Sequence, residues 1–474
     1  MHRSQRIENS QVSEPNQVEF DWFLATRGIL LMPMQTPPTQ AISVIGYAVK
    51  GILVNYKFIT AISTLASVLS LTIAVPEANG AAPVATVMAT NRAAAAEAPT
   101  PSPSPSPATL YVSSNGDDSH PGTEDMPFRS IERAARAAAA GTTVRVAPGV
   151  YVGNISTRNA GKPGAAIRYL STVKWGARLI GQGKDAAWTN YGDYTHISGF
   201  DISGSGRLGI LNLGSHTLVE GNHVHHLAIS GGCTPNGGAG IDNGNYASSD
   251  GDIIGNIVHD IGVPGACNGV HGIYSSNRGG HIVNNLVYRV SSYGIHLWHA
   301  ATRVTIANNT LFANGSTSMG GGIVLGNGDG PGGAVLNDTW VVNNIVYDNP
   351  GASIIEFCYL GHECTGANNI FANNLVFNNG RPISLRRGRA KNTIAADPQF
   401  VDYRPDGSGN YQLGPGSPAI AKGLRLAAGG GNGNGSASKH ARGGADLGAD
   451  IARVPVTVPY KPVTSTLAKA KVNL

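Results

Sequence analysis

The sequence predicts an all-β solenoid, and three observations carry that prediction. The first is composition. The chain holds 63 glycines in 474 residues, and only 13% of its side chains are charged, which suits many short strands and tight turns better than helices with solvated faces. The second is a repeat. Seven segments align: "ISGFDIS" (197–203), "VEGNHVHH" (219–226), "IIGNIVHD" (253–260), "IVNNLVYR" (282–289), "IANNTLFA" (306–313), "VVNNIVYD" (341–348) and "FANNLVFN" (371–378). Each has an apolar residue, a small or Asn pair and a short apolar strand. Asn222, Asn256, Asn285, Asn309, Asn344 and Asn374 form one column, with Phe200 in the first segment, at steps of 34, 29, 24, 35 and 30 residues. The third is a Gly-Ile column: "LGIL" (208–211), "AGID" (239–242), "HGIY" (271–274), "YGIH" (293–296), "GGIV" (321–324) and, more loosely, "SIIE" (353–356). Strand patterning at this period means stacked coils, none of which closes a core alone.

The elements follow in chain order. Residues 1–82 read as an N-terminal extension. Lys50 and Lys57 precede an apolar run from Phe58 to Val75, and small residues follow at 78–82. That is the basic-apolar-small order of a secretory signal, in a run near the length of an uncleaved membrane anchor. Residues 83–108, ending in "PTPSPSPSP" (99–107), form a stiff Ala/Pro-rich linker. The folded domain spans 109–455, and 456–474 is a tail. Ser130 followed by "IERAARAAAA" reads as an N-capped helix over Ile131–Ala140, ended by Gly141. It would cover the open end of the solenoid, where bare strand edges invite aggregation.

In the body, Asn at the turns tolerates left-handed backbone and can bond from coil to coil. Alternation along the Gly-Ile strands puts Ile inward. The preceding Gly and the following residue then face outward, the Gly as a flat strip. The outward column reads Leu211, Asp242, Tyr274, His296, Val324 and Glu356. Coils stack about 4.8 Å apart, so Asp242 and His296 lie roughly 10 Å apart with Tyr274 between them. His225, His259, Tyr288, Phe312, Tyr347 and Phe377 form another column, read as packing. Cys233 and Cys267 fall at matching loop positions of adjacent coils, and Cys358 and Cys364 flank a short loop. The expected disulfides are Cys233–Cys267 and Cys358–Cys364. The net charge of +5 permits an acidic partner without requiring one.

The stretch "LYVSSNGDDSHPGTEDMPFRSIERAARAAAAGTTVRVAPGVYVGNI" (110–155) resembles the N-terminal cap and first coil of the pectate-lyase-like right-handed parallel β-helix superfamily. The closing segments "ADPQFVDY" (396–403), "NYQLGPGSPAIAKG" (410–423) and "ADLGAD" (445–450) also resemble bacterial members of that family. The resemblance covers roughly 110–450. It implies a right-handed parallel β-helix (solenoid) with a short N-terminal capping helix. It also implies a bacterial protein, extracellular, periplasmic or on the cell surface, that acts as a monomer on a polysaccharide. No nucleic-acid partner is expected, and no stable membrane association after signal cleavage.

The family's alternative chemistries leave different traces. Lyases of this family that use a Lys base place it on the helix body, and here no Lys lies between Lys184 and Lys391. The polygalacturonase motif set is absent. His223, His225, His226, His259, His271, His296 and His299 all lie within 77 residues. β-Elimination from a uronate needs a base for the C5 proton, an acid for the leaving oxygen and a positive group at the carboxylate. Tyr274, His296 and His271 are the candidate acid and base. Arg289, Arg303 or a Ca²⁺ held by Asp242 and Asp252 is the candidate neutraliser. Asp242, Trp298, His299 and Arg303 are the candidate substrate contacts, Trp298 as an outward ring on which a sugar stacks. Calcium is the one candidate cofactor. The expectation is a lyase of an acidic, uronate-containing polysaccharide. A glycoside hydrolase on the same scaffold and a non-catalytic carbohydrate-binding or surface protein are the alternatives.

Overall fold

A computed structural model describes residues 108–183, 185–227, 237–299, 301–327, 335–358, 365–424 and 448–449. All of them fall in one compact unit of the chain. The 1–82 extension, most of the linker, Cys233, Cys364 and the 456–474 tail lie outside the described residues. Among the described residues no helix is long and apolar enough to cross a membrane.

The chain winds as a parallel β-helix with three sheets. Sheet I has eleven strands, from Thr109–Val112 to Ala390–Lys391. Sheet II has nine, from Gly149–Val152 to Leu375–Phe377. Sheet III has eight, from Ile155–Thr157 to Ala352–Cys358. From Thr143 onward the strands visit sheets I, II and III in strict rotation through Cys358. Every pairing within these sheets is parallel and joins neighbouring coils. Crossovers of this kind wind right-handed, as the sequence led us to expect.

Each sheet contributes one inward apolar column. In sheet I it is Ile197, Val219, Ile253, Ile282, Ile306, Val341 and Phe371. In sheet II it is Ile202, Val224, Val258, Val287, Leu311 and Val346. In sheet III it is Ile210, Ile241, Ile273, Ile295, Ile323 and Ile354. All are buried in one continuous core. Burial of each such side chain is worth about 1.5–3 kcal/mol, and stacking is the only way a coil obtains it.

The corners explain the Asn column. Between sheets I and II the first residue of each pair takes positive φ: Gly221 62°, Gly255 64°, Asn284 61°, Asn308 54°, Asn343 60° and Asn373 53°. The second residue is the ladder Asn. The amides of Asn222, Asn256, Asn285, Asn309 and Asn344 each donate to the next Asn Oδ1, at 3.1, 3.0, 3.0, 2.9 and 3.0 Å. The same acceptors take backbone N–H groups, as Asn285 Oδ1 does from Asn256 N at 2.9 Å. Turn strain and ladder bonding are thus divided between the two residues of each pair, where the sequence reading gave both to one Asn. Two more ladders follow the other corners: Asn190–Asn212–Asn243 and Asn314–Asn349–Asn379.

The capping helix α1 runs Ile131–Ala137, shorter than the predicted Ile131–Ala140. Ser130 accepts from Arg133 N at 3.1 Å, and the Asp118 carboxylate accepts from the Ser130 hydroxyl at 2.7 Å. The helix stops early because the Asn159 amide takes the carbonyls of Ala135 and Ala138. At the other end an antiparallel hairpin, Phe400–Asp402 with Asn410–Leu413, lays Tyr403 and Tyr411 against Phe312.

Candidate active site and a second histidine cluster

Sheet III places Leu211, Asp242, Tyr274, His296 and Val324 in one register column, as the sequence predicts. Its end differs. Val324 pairs with Ile355, and Glu356 aligns with the inward Leu325. Glu356 is buried, and its carboxylate accepts from Thr365 and from the backbone N–H groups of Arg386, Arg387 and Gly388. It caps the backbone of Arg386–Gly388 on the following turn of chain and takes no part in the outward column.

The glycines also depart from the prediction. A Cβ on Gly272 would run into Val287 of sheet II, and one on Gly294 would meet Leu311. Gly240 and Gly322 face Val258 and Val346 in the same way. The Gly column therefore points inward, and Gly and Ile are both on the core side. Each strand kinks at its Gly like a bulge. The residue before the Gly then joins the outward side. That is why His271, one step before Gly272, stands beside His296 on the next coil although simple alternation pairs it with Ile273.

The result is a compact group of rings. His296 Nδ1 and His271 Nε2 are 2.7 Å apart. Tyr274 meets His296 edge-on at 5.3 Å between centroids, and Tyr293 lies 6.4 Å from His271. Trp298 is 4.7 Å from His296. Three buried atoms of this group lack a hydrogen-bond partner: Asp242 Oδ1, His271 Nδ1 and His296 Nε2. Orphaned polar atoms this close together are costly unless a ligand meets them. Burial raises the Asp242 carboxyl to about 7, with the charge of Arg207 opposing the shift. Burial lowers His271 to about 3. It also drives His296 well below the ordinary imidazole value, helped by the charges of His271 and His299. Both imidazoles are therefore neutral near pH 7.

The remaining predicted residues scatter. Trp298 is only 6% exposed and packs with Val324, Ala352 and Ile355. It buttresses His296 and does not offer an open stacking surface. His299 meets Tyr246 at a tilt, with ring centroids 4.6 Å apart. Arg303 is exposed at the corner leading into the sheet I strand Thr305–Ala307, with φ 60°. Arg289 belongs to sheet II and pairs with Asp260 at 2.8 Å, so it cannot serve Tyr274 and His296 on sheet III. Asp252 lies on sheet I, where its Oδ1 accepts from His281 N and contacts His281 Nδ1. Asp242 and Asp252 are thus not brought together. Ca²⁺ takes six to eight oxygen ligands, and Asp242 stands in register with Leu211 and Tyr274 and feels the charge of Arg207, so these residues do not fit a calcium ion. Cys267 is disulfide-bonded, while Cys233, Cys364 and the Cys358 side chain lie outside the described residues.

The sequence reading missed Arg207 and Arg381. Arg207 stands one residue before the sheet III strand Leu208–Asn212, and its charge acts on Asp242. Arg381 bridges to Ala352 and hydrogen-bonds Tyr293. A scan for basic residues at strand starts finds the first. The second follows no repeat.

A second cluster occupies sheet II. The column of His225, His259, Tyr288, Phe312, Tyr347 and Phe377 is in register throughout. His259 stacks on Tyr288 at 4.6 Å and 3°, and Tyr288 on Phe312 at 4.9 Å and 3°. The column faces outward. The terminal hairpin covers its aromatic middle, while its histidine end meets Asp201, His223, His226, Asp260 and Arg289.

The profile of a family described as "Protein of unknown function (DUF1565)" matches residues 114–158. Pectate lyase L of Dickeya dadantii (strain 3937) is 26% identical over 239 residues, 46% of this chain and 54% of that protein. Pectate lyase L of Dickeya chrysanthemi matches with the same identity and coverage. The chain spans about half the length of these curated relatives. The solved structure of pectate lyase Pel9A shares 18% identity at a TM-score of 0.48, covering 72% of this chain and 95% of that one. The coil architecture is that of a right-handed parallel β-helix, and over 46% of the chain the sequence is similar to that of pectate lyases.

Proposed function

We propose that the chain is a polysaccharide lyase that cleaves an acidic, uronate-containing polymer by β-elimination at the sheet III face. One observation carries the reading: the buried, unpartnered nitrogens at the two ends of the His271–His296 pair. The pair shares one internal hydrogen bond, so either tautomer leaves one outer nitrogen as a bare lone pair and the other as an N–H. The lone pair takes the C5 proton. The internal proton shifts across the 2.7 Å bond, and the far N–H delivers its proton to the leaving O4 oxygen. The electron pair of the broken C5–H bond forms the C4–C5 double bond as the C4–O4 bond breaks. Tyr274, in register with His296, is the alternative proton donor. Arg207 and a protonated Asp242 supply positive charge and a hydrogen bond at the uronate carboxylate, where charge develops.

The test is a panel of uronic-acid polymers. The ultraviolet absorbance of an unsaturated uronate should rise with wild-type protein and not with His296→Ala. New reducing ends without that absorbance would mean hydrolysis, and binding without either would mean a carbohydrate-binding module. The proposal includes export, supported by the basic-apolar-small order of 50–82, and a monomeric state. It retains the disulfides Cys233–Cys267 and Cys358–Cys364, to be checked by non-reducing peptide mapping.

A further inference from the structure

The sheet II cluster has a feature that packing does not explain. Asp201, His223 and Ile257 are in register on adjacent coils, as are His225 and His259. His223 Nδ1 lies 2.9 Å from Asp201 Oδ2, and His259 Nδ1 lies 2.6 Å from Asp260 Oδ2. An ionised carboxylate only accepts, so both Nδ1 atoms carry a proton. In the neutral rings both Nε2 atoms are then bare lone pairs, and these two atoms lie 2.8 Å apart. Two lone pairs at that distance repel. Something positive has to lie between them: a proton or a metal ion.

The rest of the cluster favours the metal. Ligand nitrogens of His223, His225 and His259 all lie within 4.8 Å of one another. Two of the three rings already have a carboxylate behind the far nitrogen, the arrangement that orients metal-bound histidines. The third, His225, touches Asp201 through Nε2 at 3.2 Å and His226 Nδ1 through Nδ1 at 2.7 Å. Moving its proton to Nδ1, where His226 accepts it, frees Nε2 as the third ligand. Trp175 and Tyr288 wall the site at 5.0 Å from His223 and 4.6 Å from His259. His226 and Arg289 are about two-fifths exposed and leave the cluster open to solvent. Metal–nitrogen bonds of about 2.0–2.1 Å in a tetrahedron place nitrogens roughly 3.3 Å apart, so the two facing rings need part only by a few tenths of an ångström. Imidazole donors select borderline ions such as Zn²⁺ over hard ions such as Ca²⁺.

We propose that His223, His225 and His259 are the ligands of a divalent transition-metal site on sheet II, oriented by Asp201 and Asp260 and separate from the sheet III face. The test is calorimetric titration of the chelator-stripped full chain with Zn²⁺ and, in parallel, Ca²⁺. The expected result is one Zn²⁺ per chain and no heat with Ca²⁺. His259→Phe should lose binding by at least 100-fold and still fold, because Tyr288 and Phe312 hold the same column on the next coils. Asp201→Asn should weaken Zn²⁺ by about 10–100-fold. If His259→Phe does not fold, His223→Gln replaces it, with the same loss expected. Absence of Zn²⁺ binding to the wild type, or unchanged affinity in the ligand variants, overturns the proposal and leaves a proton between His223 and His259.

Discussion

The two histidine clusters are built on neighbouring sheets of the same coils, and they differ in what stands behind each ring. On sheet II, His223 and His259 back onto Asp201 and Asp260, which fixes their tautomers and aims their other nitrogens at one point. On sheet III, among the described residues, His271 and His296 bond only each other, and their outer nitrogens are left to trade roles. A carboxylate behind an imidazole makes a fixed ligand. A second imidazole behind it makes a relay. On the two proposals above, this contrast distinguishes metal holding from proton transfer without appeal to burial, since both clusters are largely buried.

The largest expected effect breaks the relay. His296→Ala, and His271→Ala in parallel, should lower kcat on a uronate polymer by about 10²–10⁴-fold. Zn²⁺ affinity at sheet II should stay at the wild-type value in both. Equal losses of both properties would mean that the two clusters are one site. Full turnover in both variants would place the chemistry elsewhere.

Gly272→Ala comes next. Its Cβ points into Val287, so it should cost about 1–3 kcal/mol in denaturant unfolding, as overpacked cores do. It should also displace His271 and depress turnover. An unchanged midpoint would mean that the Gly column faces solvent after all. Asn256→Ala tests the corner just ahead of the strand that carries His259. It leaves Asn222 N–H and its amide without their shared acceptor, for a loss of about 1–3 kcal/mol.

The smallest effect is a pH dependence. The Asp242 carboxyl is raised from its ordinary value of 3.8 to about 7 by burial, so the folded state holds its proton more tightly than the unfolded chain. The stability this gives is complete below about pH 4 and is lost as pH rises through 7. Asp242→Asn, which mimics the protonated form, should match the wild-type melting temperature below about pH 4 and exceed it by a growing margin up to about pH 7. A wild type whose advantage grows with pH would reverse the sign and remove Asp242 from the buried site. His271, lowered to about 3, contributes the opposite slope. Its stabilisation is present above about pH 6.5 and fades as pH falls toward 3. The Asp242→Asn comparison cancels that contribution.

The coil register was legible in the chain because it repeats. The Asn column, the aromatic column and the Asp242–Tyr274–His296 line each sit at one position of a periodic pattern, and stacking turns equal position into adjacency. The inward Gly column was not legible. Alternation treats every strand residue as equivalent, and only the closeness of Val287 to Gly272 reveals the kink that brings His271 to the outer face. Arg289 was misplaced for a related reason. It is near Tyr274 in sequence, but the corner at Asn284–Asn285 turns it onto another sheet.

The sequence by itself therefore determined the solenoid, its stacking order and which residues share a column, because these follow from local period and from the need of each coil to bury its apolar side against the next. Only the tertiary structure decided which columns of different sheets meet, which face a kinked strand presents and which nitrogen of each histidine finds a carboxylate. Those depend on distances between coils and corners that no one-dimensional pattern carries.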